Sequence, residues 1–128
     1  RAEMHEIVIG ERTNIQDFVM VHVGGSTPTI VGKNCSITHH VTIHGCTIGD
    51  NCLIGINATI MDGAIIGNNC IVAGHSIVTE NAVFPDNSII AGVPAKVVKT
   101  RDNGAANAAN AEWYFRNALR YAKGEDVM

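Results

Sequence analysis

The chain has 128 residues and a formal net charge of −3, with 46% hydrophobic and 16% charged residues. This length fits one domain with its own core, and the balance of charges excludes a nucleic-acid backbone or an anionic lipid surface as a main partner. No apolar stretch approaches the roughly 20 residues that cross a bilayer, and no signal peptide is evident, so we expect a cytoplasmic protein.

Aliphatic or aromatic residues recur at nearly every sixth position of the chain. They are Ile9, Ile15, Val21, Val31, Ile37, Ile43, Ile48, Ile54, Ile60, Ile66, Val72, Val78, Phe84 and Ile90. The step lengthens between Val21 and Val31, which indicates a four-residue insertion containing GGSTP, and shortens by one residue between Ile43 and Ile48. A helix repeats near 3.6 residues, so a step of six predicts short strands stacked as a parallel β-solenoid.

The other positions of each six-residue unit, or hexad, support this prediction. If the recurring residue is position one, position five is small and should also point inward, as at Thr47 and in a column of Cys35, Cys52 and Cys70. We interpret these cysteines as buried free thiols that pack as small hydrophobes, and Cys46 as a corner residue. Position four favours types that tolerate a left-handed corner. Its members include His40, Asn51, Asn57, Gly63, Asn69, His75, Asn81 and Asn87.

The composition changes after Lys99. The segment TRDNGAANAAN is small and polar, and AEWYFRNALRYAK then predicts a helix that ends at Gly124. Its predicted packing stripe is Ala111, Phe115, Ala118 and Ala122. We therefore divide the chain into a β-helix over residues 1–99 and an exit segment with a C-terminal helix over residues 100–128, with a partly frayed tail as the alternative.

Three of the six histidines fall within SITHHVTIHGC, residues 36–46. With three hexads in each coil, residues 18 positions apart stack about 4.8 Å from one another. His22 and His44 lie 22 residues apart, which is 18 plus the insertion, so they stack at position two of successive coils. Asp17 and His39 stack in the same way on the preceding face.

These histidines are candidates for a shared metal site. His39 and His44 are separated by a path of about 15 Å, whereas the ligands of one zinc lie within a few ångströms of each other. One chain cannot easily close the site, but a parallel homotrimer can, and three imidazoles with an open fourth position are typical of catalytic zinc. The alternative is that they are ordinary corner and surface residues. We keep that interpretation for His5, His40 and His75.

The hexads IGDNCL, IGINAT and IGNNCI resemble the hexapeptide-repeat proteins, and the resemblance covers residues 7–99, ending in AGVPAKVVK. It implies an all-β solenoid, a left-handed parallel β-helix. The stretches TNIQDFVMVHV and THHVTIHGC carry a narrower resemblance, to gamma-class carbonic anhydrases with a short loop. It implies that His22, His39 and His44 bind Zn²⁺ or Fe²⁺, one ion at each subunit interface of a homotrimer.

The same resemblance implies roles for other residues. Gln16 would orient the metal-bound solvent, Asn14 would belong to the same polar pocket, and Arg1 and Asp17 would form an ion-pair network across the interface. A metal-bound hydroxide would add to CO₂ and give bicarbonate. A small apolar substrate suits an aliphatic pocket, whose walls the stacking count assigns to Val41, Ile56 and Met61.

The chain departs from the family pattern in three ways. The GGSTP loop has no ionisable side chain where longer loops carry a proton-shuttle glutamate. In RAEM, Glu3 replaces an aspartate and Met4 takes a position that can hold a catalytic glutamate; the stacking count makes Met4 and Met61 apolar caps on the histidine pair. The coils that usually precede this motif are not in the sequence. Which of Tyr114 and Tyr121 approaches the site is not determined by the sequence.

Two other functions therefore stay open. A hexapeptide acyltransferase shares the fold, the trimer and the AGVPAKVVK ending, but it uses one general-base histidine and a coenzyme A groove between subunits. A catalytically weak or silent trimeric scaffold of the gamma carbonic anhydrase type is the second alternative.

Overall fold

The computed structural model describes residues 1–126, which form a triangular prism of parallel strands followed by one helix. The strands are β1 Ile7–Ile9, β2 Asn14–Ile15, β3 Met20–His22, β4 Thr29–Val31, β5 Ser36–Ile37, β6 Thr42–His44, β7 Thr47–Ile48, β8 Leu53–Ile54, β9 Thr59–Ile60, β10 Ile65–Ile66, β11 Ile71–Val72, β12 Ile77–Val78, β13 Val83–Phe84, β14 Ser88–Gly92 and β15 Ala95–Thr100. The helix, α1, is Gly104–Ala122.

Every third strand of the prism pairs in parallel. The three sheets have the orders β1-β4-β7-β10-β13, β2-β5-β8-β11-β14 and β3-β6-β9-β12, which confirms three hexads in each coil. Strand β15 folds back antiparallel on β14, so the AGVPAKVVK segment forms a hairpin on the last coil.

The recurring aliphatic residues fill the interior of the prism. Ile37, Ile43 and Ile54 are fully buried, and removing such a side chain from water contributes about 1.5–3 kcal/mol. Ile9 and Ile15 are 37% and 41% exposed, because the first coil packs against a neighbouring coil on one side alone. The interior of the solenoid is therefore tightest in its middle coils.

The corners have the predicted backbone conformation. All eight of the predicted position-four residues have positive φ, between 56° and 73°. Arg12, Phe18 and Asn34 occupy the same position and share the conformation, with φ of 57°, 65° and 56°. On one edge the amide side chains form a ladder, in which Asn51 Nδ2 donates to Asn69 Oδ1 at 3.1 Å. The corners thus hold each hexad to its length of six.

The structure shows where the one-residue deletion lies, and the predictions for Thr47 and Cys46 were wrong. Thr47 is exposed and begins β7, whereas Cys46 is buried and follows Gly45, which has φ of 62°. The missing residue is therefore position three of this hexad, so Cys46 takes the inward position five. Burial raises the pKa of the Cys46 thiol to about 12.

The cysteine column lies in the interior, as predicted. Cys35, Cys52 and Cys70 are free and fully buried. Thiol hydrogen bonds with Cys35 and Cys70, together with burial, raise the pKa of Cys52. These contacts agree with the role of packed small hydrophobes.

Helix α1 begins at Gly104 rather than at Ala111, because asparagines of its lead-in bind the prism. The side chain of Asn107 is buried, and its Nδ2 donates to the carbonyls of Asn51 and Cys70 at 2.9 and 3.0 Å. Buried hydrogen bonds of this kind hold a segment whose composition alone suggests a loop. Within residues 1–126 no helix is long and apolar enough to cross a membrane.

The predicted packing stripe of the helix is covered along its N-terminal half alone. Phe115 is half-buried under the Arg12 guanidinium, 4.7 Å from the ring centre. Ala118 and Ala122 are exposed, so this half of the stripe does not pack on the prism, and its packing on a neighbouring copy stays a prediction. The helix ends as predicted before Gly124, which has φ of 72°.

Substitutions of Asn81 test how much the left-handed corners contribute to stability. It stands at an exposed corner with φ of 61°, so Asn81→Val should lower the free energy of unfolding by about 1–2 kcal/mol. Asn81→Gly is the matched control, because glycine adopts this conformation freely. Urea unfolding at one protein concentration measures both, and equal losses in the two variants would contradict the argument.

Candidate metal centre

The predicted histidine stack is present. Strands β3 and β6 pair so that His22 and His44 are direct partners. Nδ1 of His22 lies 3.0 Å from Nε2 of His44, and the rings meet nearly at right angles. Their side chains are 26% and 30% exposed, so both rings can be reached from outside the prism.

Carboxylates, and not the expected methionines, bind the two ends of this pair. Nε2 of His22 lies 2.9 Å from a carboxylate oxygen of Glu3, and Nδ1 of His44 is hydrogen-bonded to Asp62. Asp62 is position three of its hexad, and the deletion leaves no residue stacked above it, so its carboxylate reaches the His44 ring. Met4 is exposed in the wall of a cavity of about 320 Å³ that His22 and His44 also line, and Met61 is half-buried.

Three hydrogen bonds join this row of four side chains. Because ionised carboxylates only accept, the outer nitrogens of His22 and His44 donate to them, and the inner nitrogens, Nδ1 of His22 and Nε2 of His44, face each other. A metal would bind these two rings as neutral imidazoles.

Arg1 fixes Glu3 in place. Its Nε donates to Glu3 Oε1 at 2.6 Å, and its backbone nitrogen donates to the carbonyl of Val21 at 2.8 Å. A backbone hydrogen bond and the guanidinium lower the pKa of Glu3 to about 2. Within residues 1–126 Arg1 has no bond to Asp17, which is exposed near His39.

His39 lies on a different side of the prism, after β5. It lines a cavity of about 360 Å³ between the prism and α1. The lining residues are Asn14, Ile15, Gln16, Asp17, His39, Tyr114, Asn117, Ala118 and Tyr121. Both tyrosines that the sequence left open therefore line the cavity that contains His39.

The predicted polar residues meet in this cavity. Gln16 Nε2 donates to Asn14 Oδ1 at 3.1 Å, and Asn14 Nδ2 donates to Ser36 Oγ at 2.9 Å. Ser36 in turn donates to Asn110 of the helix at 2.8 Å. Sequence reasoning did not find Ser36 and Asn110, because their contact depends on how the helix docks.

The three predicted pocket-wall residues are dispersed. Val41 is fully buried inside the prism, Ile56 is 48% exposed, and Met61 is half-buried. Ile56 stacks below His39, since the backbone amide of the corner residue Asn57 donates to the His39 carbonyl at 3.1 Å. Of the three, Ile56 is therefore the one with an exposed apolar surface on the His39 side.

The donor chemistry fits Zn²⁺ or Fe²⁺. His22 and His44 stand side by side, each backed by a carboxylate, which is the usual support for a metal-binding imidazole. Two imidazoles are too few for such a centre, and in residues 1–126 no group of three possible ligands converges. In this chain, therefore, His39 and the histidine pair lie apart.

The comparisons with known proteins agree with this architecture. Residues 45–80 match the family described as bacterial transferase hexapeptide (six repeats). The prism is thus a left-handed β-helix of the hexapeptide-repeat class, with about five coils.

Within that class, the whole chain is 46% identical to the "Probable carbonic anhydrase" of Methanocaldococcus jannaschii, and the match spans 77% of that relative. It is 41% identical over 69 residues to the mitochondrial gamma carbonic anhydrase 2 of Arabidopsis thaliana, covering 49% of this chain and 25% of that one. The chain belongs to the gamma carbonic anhydrase family, whose named members are lyases.

Solved structures share the fold. A hexapeptide transferase family protein from Anaplasma phagocytophilum is 31% identical with a TM-score of 0.87, over 94% of this chain and 72% of that one. The N-acyltransferase AntD of Bacillus cereus, at 17% identity and a TM-score of 0.70 over 84% of this chain and 70% of that one, shows the fold alone.

Asp62 should support metal binding through His44. Removing a carboxylate behind a ligating imidazole typically costs 10- to 100-fold in affinity, and we expect a loss of about that size for Co²⁺ binding by Asp62→Ala. Asp62→Asn should lose less, because its carbonyl oxygen can still accept from Nδ1 of His44. Glu80→Ala, at an exposed corner, is the control. Equal Co²⁺ affinity in all four proteins, measured by titration, would contradict this role.

Proposed function

We propose that the chain catalyses the reversible hydration of CO₂ to bicarbonate as a homotrimer. His22 and His44 of one copy and His39 of the next would hold one Zn²⁺ or Fe²⁺ at each interface. The observation that carries this proposal is the bonded pair of histidines, backed by carboxylates, in a chain related along its whole length to a protein named as a carbonic anhydrase.

The metal would supply a water activated for attack on a small carbon electrophile. Asp62 and Glu3 hold the two rings in place, so little ordering is needed when a third imidazole arrives. On the His39 side, Gln16 is held by Asn14 and lines the cavity, where its side-chain amide can orient water or bicarbonate. Exposed Ile56 offers an apolar surface for CO₂ beside His39.

Removal of the product proton is the weak step of this site. Residues 24–28, GGSTP, contain no ionisable side chain. Glu3 is the nearest carboxylate to His22, but a pKa of about 2 keeps it ionised at neutral pH, and an efficient proton carrier needs a pKa close to the working pH. We therefore propose that the enzyme is slow, with a turnover between that of an active family member and that of a silent scaffold.

A coenzyme A-dependent acyltransferase is the second candidate, favoured by the 31% identity to a hexapeptide transferase family protein. An acyl transfer site of this kind needs one general-base histidine and has no use for a second imidazole at 3.0 Å. The histidine pair therefore favours the metalloenzyme.

Four free buried cysteines support a reducing, cytoplasmic location.

Metal content tests the proposed function. Protein purified without oxygen should form a trimer with about one Zn²⁺ or Fe²⁺ per chain, because each interface would close one site with three imidazoles. His39→Asn should lose the metal, and His75→Asn, a change at a corner in another coil, should keep it. CO₂ hydration by stopped flow should then follow metal content.

A metal-free trimer that is indifferent to His39 would overturn the proposal. In that case, binding of acetyl-coenzyme A by the same protein would support the acyltransferase.

A further inference from the structure

Phe18 has an unusual place in the structure. It occupies a corner with φ of 65°, where other corners carry mostly asparagine, histidine or glycine. A bulky residue in this conformation is a genuine outlier and costs backbone strain. Its side chain is nevertheless 80% exposed, so the strain is not repaid by burial within this copy of the chain.

The Phe18 ring is held in a defined orientation. It stacks on the His40 ring with a centroid distance of 5.0 Å and an interplanar angle of 10°. His40 is the next corner on the same edge, since its backbone amide donates to the Asp17 carbonyl at 3.1 Å. The two rings form an apolar, ordered plate at the surface, directly beside His39 in the chain.

The histidine pair has an exposed apolar side chain of its own. Met4 is 73% exposed and lines the cavity of about 320 Å³ that contains His22 and His44. If His39 of one copy enters this cavity in another copy, as in the proposed function, Phe18 is carried to its rim. Thioether sulfur and aromatic rings pack favourably, so Met4 suits the ring chemically.

We propose that Phe18, stacked on His40, packs against Met4 of the neighbouring copy and positions His39 in the shared site. This inference rests on the proposed assembly. Phe18 is a positioning residue here, because it acts through the backbone and imidazole of its neighbours. The strained corner is then balanced by an aromatic contact that exists in the trimer alone.

The test compares variants at this one corner. Phe18→Gly and Phe18→Asn remove the ring and relieve the corner, so both should fold, whereas Phe18→Tyr keeps the ring. Val98→Ala removes another exposed apolar side chain, on β15, as the control. Sedimentation over a dilution series gives the dissociation constant of the trimer, and a Co²⁺ titration followed by its visible spectrum gives metal affinity.

We expect Phe18→Gly and Phe18→Asn to raise the dissociation constant of the trimer and that of the Co²⁺ complex about tenfold or more, as for an aromatic anchor at an interface. Phe18→Tyr and Val98→Ala should stay close to the unmodified protein. Met4→Ala should weaken assembly, and combining it with Phe18→Gly should add little, because both remove the same contact. Unchanged circular dichroism would show that the fold is kept.

Assembly that is as tight in Phe18→Gly as in the unmodified protein would overturn the inference, even if the trimer binds metal as proposed. Full additivity of the Met4 and Phe18 losses would also overturn it. A metal-free trimer that still weakens in Phe18→Gly would refute the proposed function and support the contact. A monomeric unmodified protein would overturn both.

Discussion

The left-handed corner is the constraint on which the rest of the molecule depends. Each corner turns the chain after a two- or three-residue strand, so the interior position returns after six residues and coils stack in register. A single change in that count has local consequences. The deletion after His44 leaves Gly45 as the corner, turns Cys46 inward and opens the space through which Asp62 reaches the imidazole.

The six-residue step of the sequence predicted most of the fold and the histidine pair of the candidate site. The stacking of His22 on His44 was predictable because the aliphatic step fixes the register without reference to the histidines. The contact of Asp62 with His44 was not predictable. The six-residue step shows that one residue is missing between Ile43 and Ile48, but it does not show which position of the hexad is missing. The start of the helix was also missed, because buried hydrogen bonds of Asn107 override the polar, loop-like composition of that segment.

The parts of the proposed metal site lie apart in one chain. The prism presents the histidine pair on one face and His39 beside another, and the helix adds Tyr114 and Tyr121 to the second. Each part is organised internally by hydrogen bonds before any assembly takes place. In the proposed trimer, such preorganisation would lower the cost of joining the parts, because few side chains would have to be ordered on contact.

In the proposed enzyme, metal binding and proton transfer would make opposite demands on Glu3. The bonds from Arg1 and the backbone that hold this carboxylate against His22 also keep it ionised, through a pKa of about 2. A rigid, permanently charged carboxylate is a good support for an imidazole and a poor proton carrier. The proposed ligand set and the proposed proton path are therefore separate properties of this chain. A chain can keep the histidine register of the family while its turnover is set by residues outside that register.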